Sequence, residues 1–370
     1  MPKMTIEFLD VGMGDGTFIM IGDSDDAMQL AMVDFGVHRR TKDKIGKDDA
    51  LKYLVGQIDK ISKARGRSTP YLDHLFLTHP DHDHYNAVMP LIESAYPSYK
   101  GKKLAIGRLT YGGHEDLYKG EIEKIAVHVE YKSPGKKYID VLDSLECSTV
   151  NDNGTVNTFR TFAGGAVKVY LLCSNYPSKT SVVPNPLSLC LMFADEHNKV
   201  IFMGDAEKKV EEKIISNFAK ATKGFLNTYA LKLGHHGSQA GTSEEWILAV
   251  KPKAIFASGD FVWAHPYCTT LERVRDKSAL AAMEKHWFCC GRSLGGRQSD
   301  YFNYDSQLRI CLNLWYVVKL DQGEKMKDDD DEGGQIFHAD YGWTYGVQWE
   351  LEFDGNKVPR LDRTTAPSPD

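Results

Sequence analysis

Cysteine is scarce and unpatterned, seven in 370 residues, with no CxxC pair and with Cys289 and Cys290 adjacent. An odd, scattered set excludes a disulfide framework and fits reduced thiols in a cytoplasm. No apolar run approaches the ~20 residues of a membrane helix. The chain passes from Met1-Pro2-Lys3-Met4 straight into a strand-like segment, so neither a membrane span nor a signal peptide is expected. Positive charge is not in excess: the net charge of -6 speaks against a generally adhesive nucleic-acid binder but permits local basic patches. There is no internal repeat. With 42% hydrophobic and 26% charged residues, disordered, coiled-coil and collagen-like classes are excluded.

What is present is a mixed α/β pattern. Strands are expected at Thr5 to Val11, Thr17 to Ile21, Leu30 to Asp34 and Leu75 to Thr78, each short, apolar and bounded by turns. Leu51, Leu54, Val55, Ile58 and Ile61 recur at helical spacing and predict a helix over Asp48 to Ala64. Further strands are expected at 167–173, 187–193, 200–203 and 254–258, with helices at 209–220, 244–250 and 271–285. A C-terminal strand pair, 312–320 and 345–353, flanks an acidic run at 327–334 that reads as a solvated loop, and 364–370 reads as a disordered tail.

One stretch stands above the rest: Thr78-His79-Pro80-Asp81-His82-Asp83-His84, metal-binding side chains crowded behind an apolar strand. A strand end is a rigid base from which a loop can fold several ligands around one point. Two later segments repeat the logic of strand, glycine, ligand: Val200 to Met203 with Gly204-Asp205, and Leu231-Lys232-Leu233-Gly234 with His235-His236-Gly237-Ser238.

As a set, these motifs resemble the metallo-β-lactamase superfamily, and more narrowly the soluble hydrolase domain of ComEC-type competence (DNA-uptake) proteins. The matching residues are Asp10-Val11-Gly12-Met13-Gly14-Asp15; His79, Asp81, Asp83 and His84; Asn185 with Ser188-Leu189; Gly204-Asp205-Ala206-Glu207; His235-His236-Gly237-Ser238; and His265-Pro266. Tyr85-Asn86 replaces the usual small pair after the last motif histidine, and His82 is an extra histidine. The resemblance implies a four-layer αββα sandwich, a hydrolase domain over residues 1–310, and a C-terminal β extension over 311–370.

It also implies a centre of two divalent ions, zinc by default or manganese. The metal candidates are His79, Asp81, Asp83, His84, Asp205, His235 and His236, with Asp205 bridging and at least one of His235 and His236 a ligand. Two ions ~3.5–4 Å apart can hold a hydroxide and share the charge of an in-line transition state. Asp81 stands where many relatives have histidine, and the harder oxygen donor favours manganese. Asp83, His236 and His265 are the candidate catalytic residues, His265 as a proton donor or a grip on phosphate. Asp10, Asp15, Asp34 and Ser238 are expected behind the ligands, and Asn185 and Ser188, which could face the site, are read first as a polar strand start.

Substrate signals are weaker. Arg39 and Arg40, in the run His38 to Lys44, could overhang the site, and Tyr85 could stack on a base. The lysine groups at 100–103 and 132–137 could extend a basic track. The favoured function is cytoplasmic, metal-dependent phosphodiester hydrolysis of nucleic acid. The alternatives are a phosphodiesterase of a small molecule such as a cyclic nucleotide or phosphocholine ester, an iron redox enzyme, and a non-catalytic metal-binding interaction module.

Overall fold

A computed structural model describes residues 2–9, 11, 14–37, 47–142, 144–176, 185–258, 269–270, 273–274, 309–312, 316–321, 338–343, 347–354 and 360–365. Two sheets dominate. The first runs in the order Ile139–Leu142, Leu109–Gly112, His74–Leu77, Gln29–Phe35, Gly16–Ile21, Met4–Phe8, Val347–Phe353, Arg360–Thr365. The second runs Arg160–Phe162, Val167–Cys173, Cys190–Ala194, Lys199–Phe202, Ala230–Lys232, Ala254–Ala257, Arg309–Leu312.

Alternation along the strands sets the layers, because successive side chains point to opposite faces. Ile19, Ile21, Ala31, Val33 and Phe76 of the first sheet meet Val169, Leu171, Phe193, Phe202 and Phe256 of the second in a core between the sheets. Phe8 and Phe256 stack across it with ring centroids 3.6 Å apart. The intervening residues Phe18, Leu30, Met32, Leu75 and Leu77 pack outward against Leu54, Ile58 and Ile61 of the helix Lys47–Ala64. On the far side Leu172, Met192, Ile201, Leu231 and Ile255 meet Val210 and Ile214 of the helix Lys208–Asn217 and Trp246, Ile247 and Val250 of the helix Glu244–Val250. Helix, sheet, sheet, helix is the expected four-layer order.

Ser243 caps the last of these helices: its hydroxyl accepts the Trp246 N–H at 3.3 Å. The segment expected as one strand at 187–193 is instead a single 3-10 turn, Asn185–Leu187, followed by the strand Cys190–Ala194. Ser188 closes that turn by donating its hydroxyl to the Asn185 carbonyl at 2.7 Å. Near the C-terminus, Val347–Phe353 joins the edge of Met4–Phe8 as an antiparallel partner, Met4 opposite Phe353. The helix expected at 271–285 lies outside the described residues except for positions 273 and 274, and the acidic run at 327–334 lies wholly outside them. Among the described residues no helix is long and apolar enough to cross a membrane.

Gln29–Phe35, His74–Leu77, Leu109–Gly112 and Ile139–Leu142 are parallel, as are Lys199–Phe202, Ala230–Lys232 and Ala254–Ala257. Their C-terminal ends from both sheets meet at one rim. The ligand motifs follow directly from those ends.

Candidate metal centre

The three motif loops are locked to one another before any side chain is considered. After the strand His74–Leu77 the chain makes one helical turn, His82–Tyr85, beginning at Asp81. That turn lies on Gly36, where an added Cβ would come 2.3 Å from the Asp83 carbonyl carbon. The Asp83 carbonyl oxygen accepts the Asp15 N–H at 2.9 Å. Gly204 has a left-handed φ of 54°, and a Cβ there would meet Thr78 Cβ and Oγ1 at 2.9 Å. The Gly204 carbonyl accepts the His235 N–H at 3.0 Å, and Ser188 Oγ accepts the Asp205 N–H at 3.0 Å. Glycine separates strand from ligand because the neighbouring motif fills the space a side chain would need.

Four imidazoles converge on one carboxylate. Nε2 of His84 is 3.3 Å from Asp205 Oδ1, while Nε2 of His79, His236 and His235 lie 3.5, 3.7 and 4.0 Å from Asp205 Oδ2. Each opposite nitrogen has an outer partner. Nδ1 of His84 is 2.8 Å from Asp34, and Nδ1 of His79 is 3.1 Å from Thr78 Oγ1. Nδ1 of His236 is 3.0 Å from Ser258 Oγ, and Nδ1 of His235 is 3.2 Å from Asn185 Nδ2 and 3.3 Å from Glu207 Oε1. An outer partner on Nδ1 orients the ring and leaves Nε2 facing inward, as metal-binding histidines require. Asp83 Oδ2 is 3.5 Å from His236 Nε2, and Asp81 Oδ2 is 3.8 Å from His79 Nε2. His235 and His236 both hold left-handed backbone, φ 45° and 51°, and this turn aims two consecutive rings at the same carboxylate.

The electrostatics are those of a nest that wants cations. Burial would raise the Asp205 pKa, but the surrounding histidines outweigh it and hold the carboxyl well below its ordinary value. Desolvation would raise the half-buried Asp83 too, yet its bond to His236 and the charge of His84 bring it down to about 2. Burial disfavours the charged rings of His84 and His236, but the carboxylates around them prevail. His84 is pushed well above its usual value by Asp205 and Asp34, and His236 reaches about 10 beside Asp205 and Asp15. His79 Nε2, His84 Nε2 and Asp205 Oδ1 are buried and make no hydrogen bond of acceptable geometry among the described residues. His79, His84 and Asp205, and separately Asp83, His84 and His236, bring one ligand atom each within 4.8 Å of one another. Orphaned inward atoms and raised imidazole pKa values fit divalent ions in place of protons.

The structure therefore gathers His79, Asp81, Asp83, His84, Asp205, His235 and His236 in one place, with Asp34 and Asp15 buried behind them. Ser238 donates its N–H to the His235 carbonyl at 2.7 Å. Its hydroxyl accepts the Ala240 N–H within its own loop, and its carbonyl oxygen accepts the Thr270 hydroxyl. Asn185 and Ser188 are more than a polar strand start: they hold His235 and Asp205. Tyr85 is 2% exposed and packs beside Tyr118 and His82, so its ring faces the interior and has no open face for a base. Asp10, Arg39, Arg40 and His265 lie outside the described residues.

The lysine groups sit at the other pole. Residues 105–106 pair with Tyr71–Leu72 beside the start of His74–Leu77, and residues 131–137 precede the start of Ile139–Leu142. Lys102 donates to the Ser68 carbonyl and Lys137 to the Val127 carbonyl. Both lysine groups thus lie by strand starts, at the end opposite the ligand motifs. A cavity of about 620 Å³ opens at the same remote pole, lined by Tyr71, His74, Arg108, Tyr138 and Arg160 among others. Sequence reasoning missed Glu207, Ser258 and Lys232 as supporting residues. For Lys232 the signal was a charge closing an otherwise apolar strand, Ala230–Lys232.

No family model matches the chain. In sequence it is similar to ComE operon protein 3 of Bacillus subtilis, 24% identical over 277 residues that make up 74% of this chain and 31% of that protein. It is likewise similar to competence protein ComA of Neisseria gonorrhoeae, 24% identical over 210 residues, 55% of this chain and 23% of that one. The chain thus spans less than a third of either relative. Among solved structures it is similar to unliganded yeast PDE1, 12% identical with a TM-score of 0.41, covering 84% of this chain and 98% of that one. The likeness to competence proteins read from the motifs is borne out.

Proposed function

We propose that the chain is a binuclear metal-dependent hydrolase that cleaves phosphodiester bonds in nucleic acid, in the cytoplasm. The observation that carries the reading is the convergence of four Nε2 atoms on Asp205, each ring tied outward through Nδ1. His79, Asp81 and Asp205 would hold one ion, and His235 is a further candidate ligand. Asp83, His84, Asp205 and His236 would hold the other. Divalent ions bound there would lower the pKa of a coordinated water and offset charge developing on a phosphoryl group. Zinc suits the imidazoles, and the oxygen of Asp81 moves the balance towards manganese.

The protein's own part is orientation. Asp205 keeps a negative charge between the two ligand groups. His235, with its side chain 21% exposed against 5% or less for the other three rings and steadied by Glu207 and Asn185, can contact a phosphate or give a proton to a leaving oxygen. His265, from its motif, is proposed for the same task. Support for nucleic acid comes from the competence proteins whose sequences the chain resembles. Support for a cytoplasmic setting comes from Cys147, Cys173 and Cys190, all free thiols.

A small phosphodiester is the second reading, favoured by the remote placing of the two lysine groups. The test is a panel of single- and double-stranded DNA, RNA and bis-p-nitrophenyl phosphate, run on metal-loaded protein and on Asp205→Asn. Cleavage of nucleic acid that is lost in the variant supports the first reading. Turnover of the small diester alone supports the second, and no turnover of any substrate defeats both.

A further inference from the structure

Asp15 has the position of a metal ligand. It shares one grouping with Asp205 and His236 and another with Asp34 and His84, each within 4.8 Å. Yet both its oxygens are engaged elsewhere. Lys232 Nζ lies 2.8 Å from Oδ1 and 2.9 Å from Oδ2, with the two side chains only 6% and 7% exposed. Ser258 donates its hydroxyl to Oδ1 as well. What remains for the site is indirect: Oδ1 is 3.6 Å from His236 Nδ1, and Oδ2 is 3.9 Å from His84 Nδ1.

The origin of the ammonium is equally specific. In the strand Ala230–Lys232, Leu231 faces the outer helices while Ala230 faces the core between the sheets. Lys232 shares the face of Ala230, so its charge enters the inter-sheet space at the rim and reaches a loop of the opposite sheet. A buried lysine is tolerated there only because a carboxylate meets it.

We propose that Lys232 is a resident cation that holds Asp15 out of the metal ligand set and makes it a positioning residue behind His236. This rests on the binuclear reading. The lysine and Asp15 form a neutral pair, so the ion held by Asp83, His84 and His236 faces imidazoles rather than one more carboxylate. Without the lysine, an unpaired buried carboxylate stands beside Asp34, Asp83 and Asp205. A divalent cation then loses a repelling neighbour and gains an oxygen donor. Both changes tighten binding, and the gain is larger for manganese than for zinc, because carboxylate is the harder donor.

The test uses the full chain, stripped with a chelator and titrated by calorimetry with Mn²⁺ or Zn²⁺ alone. Lys232→Met should bind Mn²⁺ about 10-fold tighter than the parent, with a smaller gain for Zn²⁺. Its metal-free form should melt at a lower temperature and recover more than the parent when Mn²⁺ is added. The double variant Lys232→Met/Asp15→Asn removes a net-neutral pair, so it should bind two ions within about threefold of parent affinity. Should Lys232→Met fail to fold, the double variant still decides: loss of an ion there makes Asp15 a ligand and overturns the proposal. Unchanged affinity and preference in a folded Lys232→Met overturns it too. A parent that binds no metal at all defeats the binuclear reading instead, which is a separate result.

Discussion

Asp205 Oδ1 lies 3.3 Å from His84 Nε2, while Asp34 lies 2.8 Å from the Nδ1 of the same ring. One imidazole is thus held between two buried carboxylates. If Nδ1 keeps its proton for Asp34, the other proton on the ring is the one raised in affinity by Asp205, and it is the proton a cation would replace. The same trade repeats at His236, between Asp15 and the pair Asp83 and Asp205. The cluster can exchange protons for divalent charge without moving its frame.

The first expectation follows directly. Purified protein should contain close to two divalent ions per chain by elemental analysis, and chelation should stop hydrolysis. Melting temperature should fall on chelation, since ions that bind only the folded state stabilise it by mass action. Metal-free protein with unchanged activity would end the reading.

Asp34 should matter although it is not proposed as a ligand. It accepts the Thr78 N–H at 2.7 Å and the Thr78 hydroxyl at 2.6 Å, besides holding His84. Its own φ of 57° is left-handed, a conformation aspartate tolerates better than most residues. Asp34→Ala should weaken metal binding by about 10–100-fold, the usual effect of losing a partner behind a metal-bound histidine. It should also cost about 1–3 kcal/mol of stability by leaving the buried Thr78 amide unbonded. Competition with a chromophoric chelator and a urea melt would measure the two effects separately.

Away from the centre, His74 should give a pH signature. It stacks on Phe76 with centroids 3.7 Å apart, and Nε2 is 2.8 Å from Thr110 Oγ1. Burial, with the charge of Arg160 behind it, holds its pKa well below the ordinary 6.5. The unfolded chain therefore takes up a proton near pH 6.5 that the folded chain refuses. The stabilising contribution is complete above that pH and declines below it, by up to about 1.4 kcal/mol per pH unit. In chelated protein, His74→Gln should lose less stability than the parent between pH 6.5 and pH 5. Parallel pH profiles for the two proteins would contradict the assignment.

Legibility followed the range of the interaction. The helix Lys47–Ala64 was visible because Leu54, Ile58 and Ile61 repeat at its own period, and the ligands were visible because strand, glycine and donor lie together in sequence. The bond between Lys232 and Asp15 was not, because 217 positions separate them and neither carries a local sign of the other. The pairing of Met4–Phe8 with Val347–Phe353 was hidden for the same reason. The lysine groups misled because composition cannot say at which end of a parallel strand a loop falls. Tyr85 misled because a phenol beside a ligand motif looks the same whether its helical turn faces solvent or Tyr118.

With the lysine groups at the remote pole, the basic segment after Asp34 becomes the main sequence support for a polymer substrate. Arg39→Ala with Arg40→Ala should weaken nucleic-acid binding and flatten its salt dependence, with a change in slope of about one to two. Turnover of a small chromogenic diester should fall much less. Equal losses for both substrates would mean that the segment serves the fold or the metals rather than the polymer.

Asp205→Asn should cost more activity than Asp81→His. Among the described residues Asp205 is the only carboxylate approached by all four imidazoles, and its charge would offset the mutual repulsion of two ions at short range. An amide keeps the shape and loses the charge, so at least one ion should leave. The expected loss is ~10²–10³ in rate or more, comparable with removing a principal electrostatic element of a transition state. Asp81 is different, with a side chain 42% exposed at the edge of the cluster and contact to His79 alone among the four rings. Asp81→His supplies the ligand type that the resemblance assigns to this place in many relatives. It should keep part of the activity and move metal preference from manganese towards zinc, since imidazole is the softer donor. Rates at saturating Mn²⁺ and Zn²⁺, with bound metal counted in each variant, make the comparison. Two ions and near-normal rates in Asp205→Asn would refute the bridge, and an unchanged metal preference in Asp81→His would place Asp81 outside the ligand set.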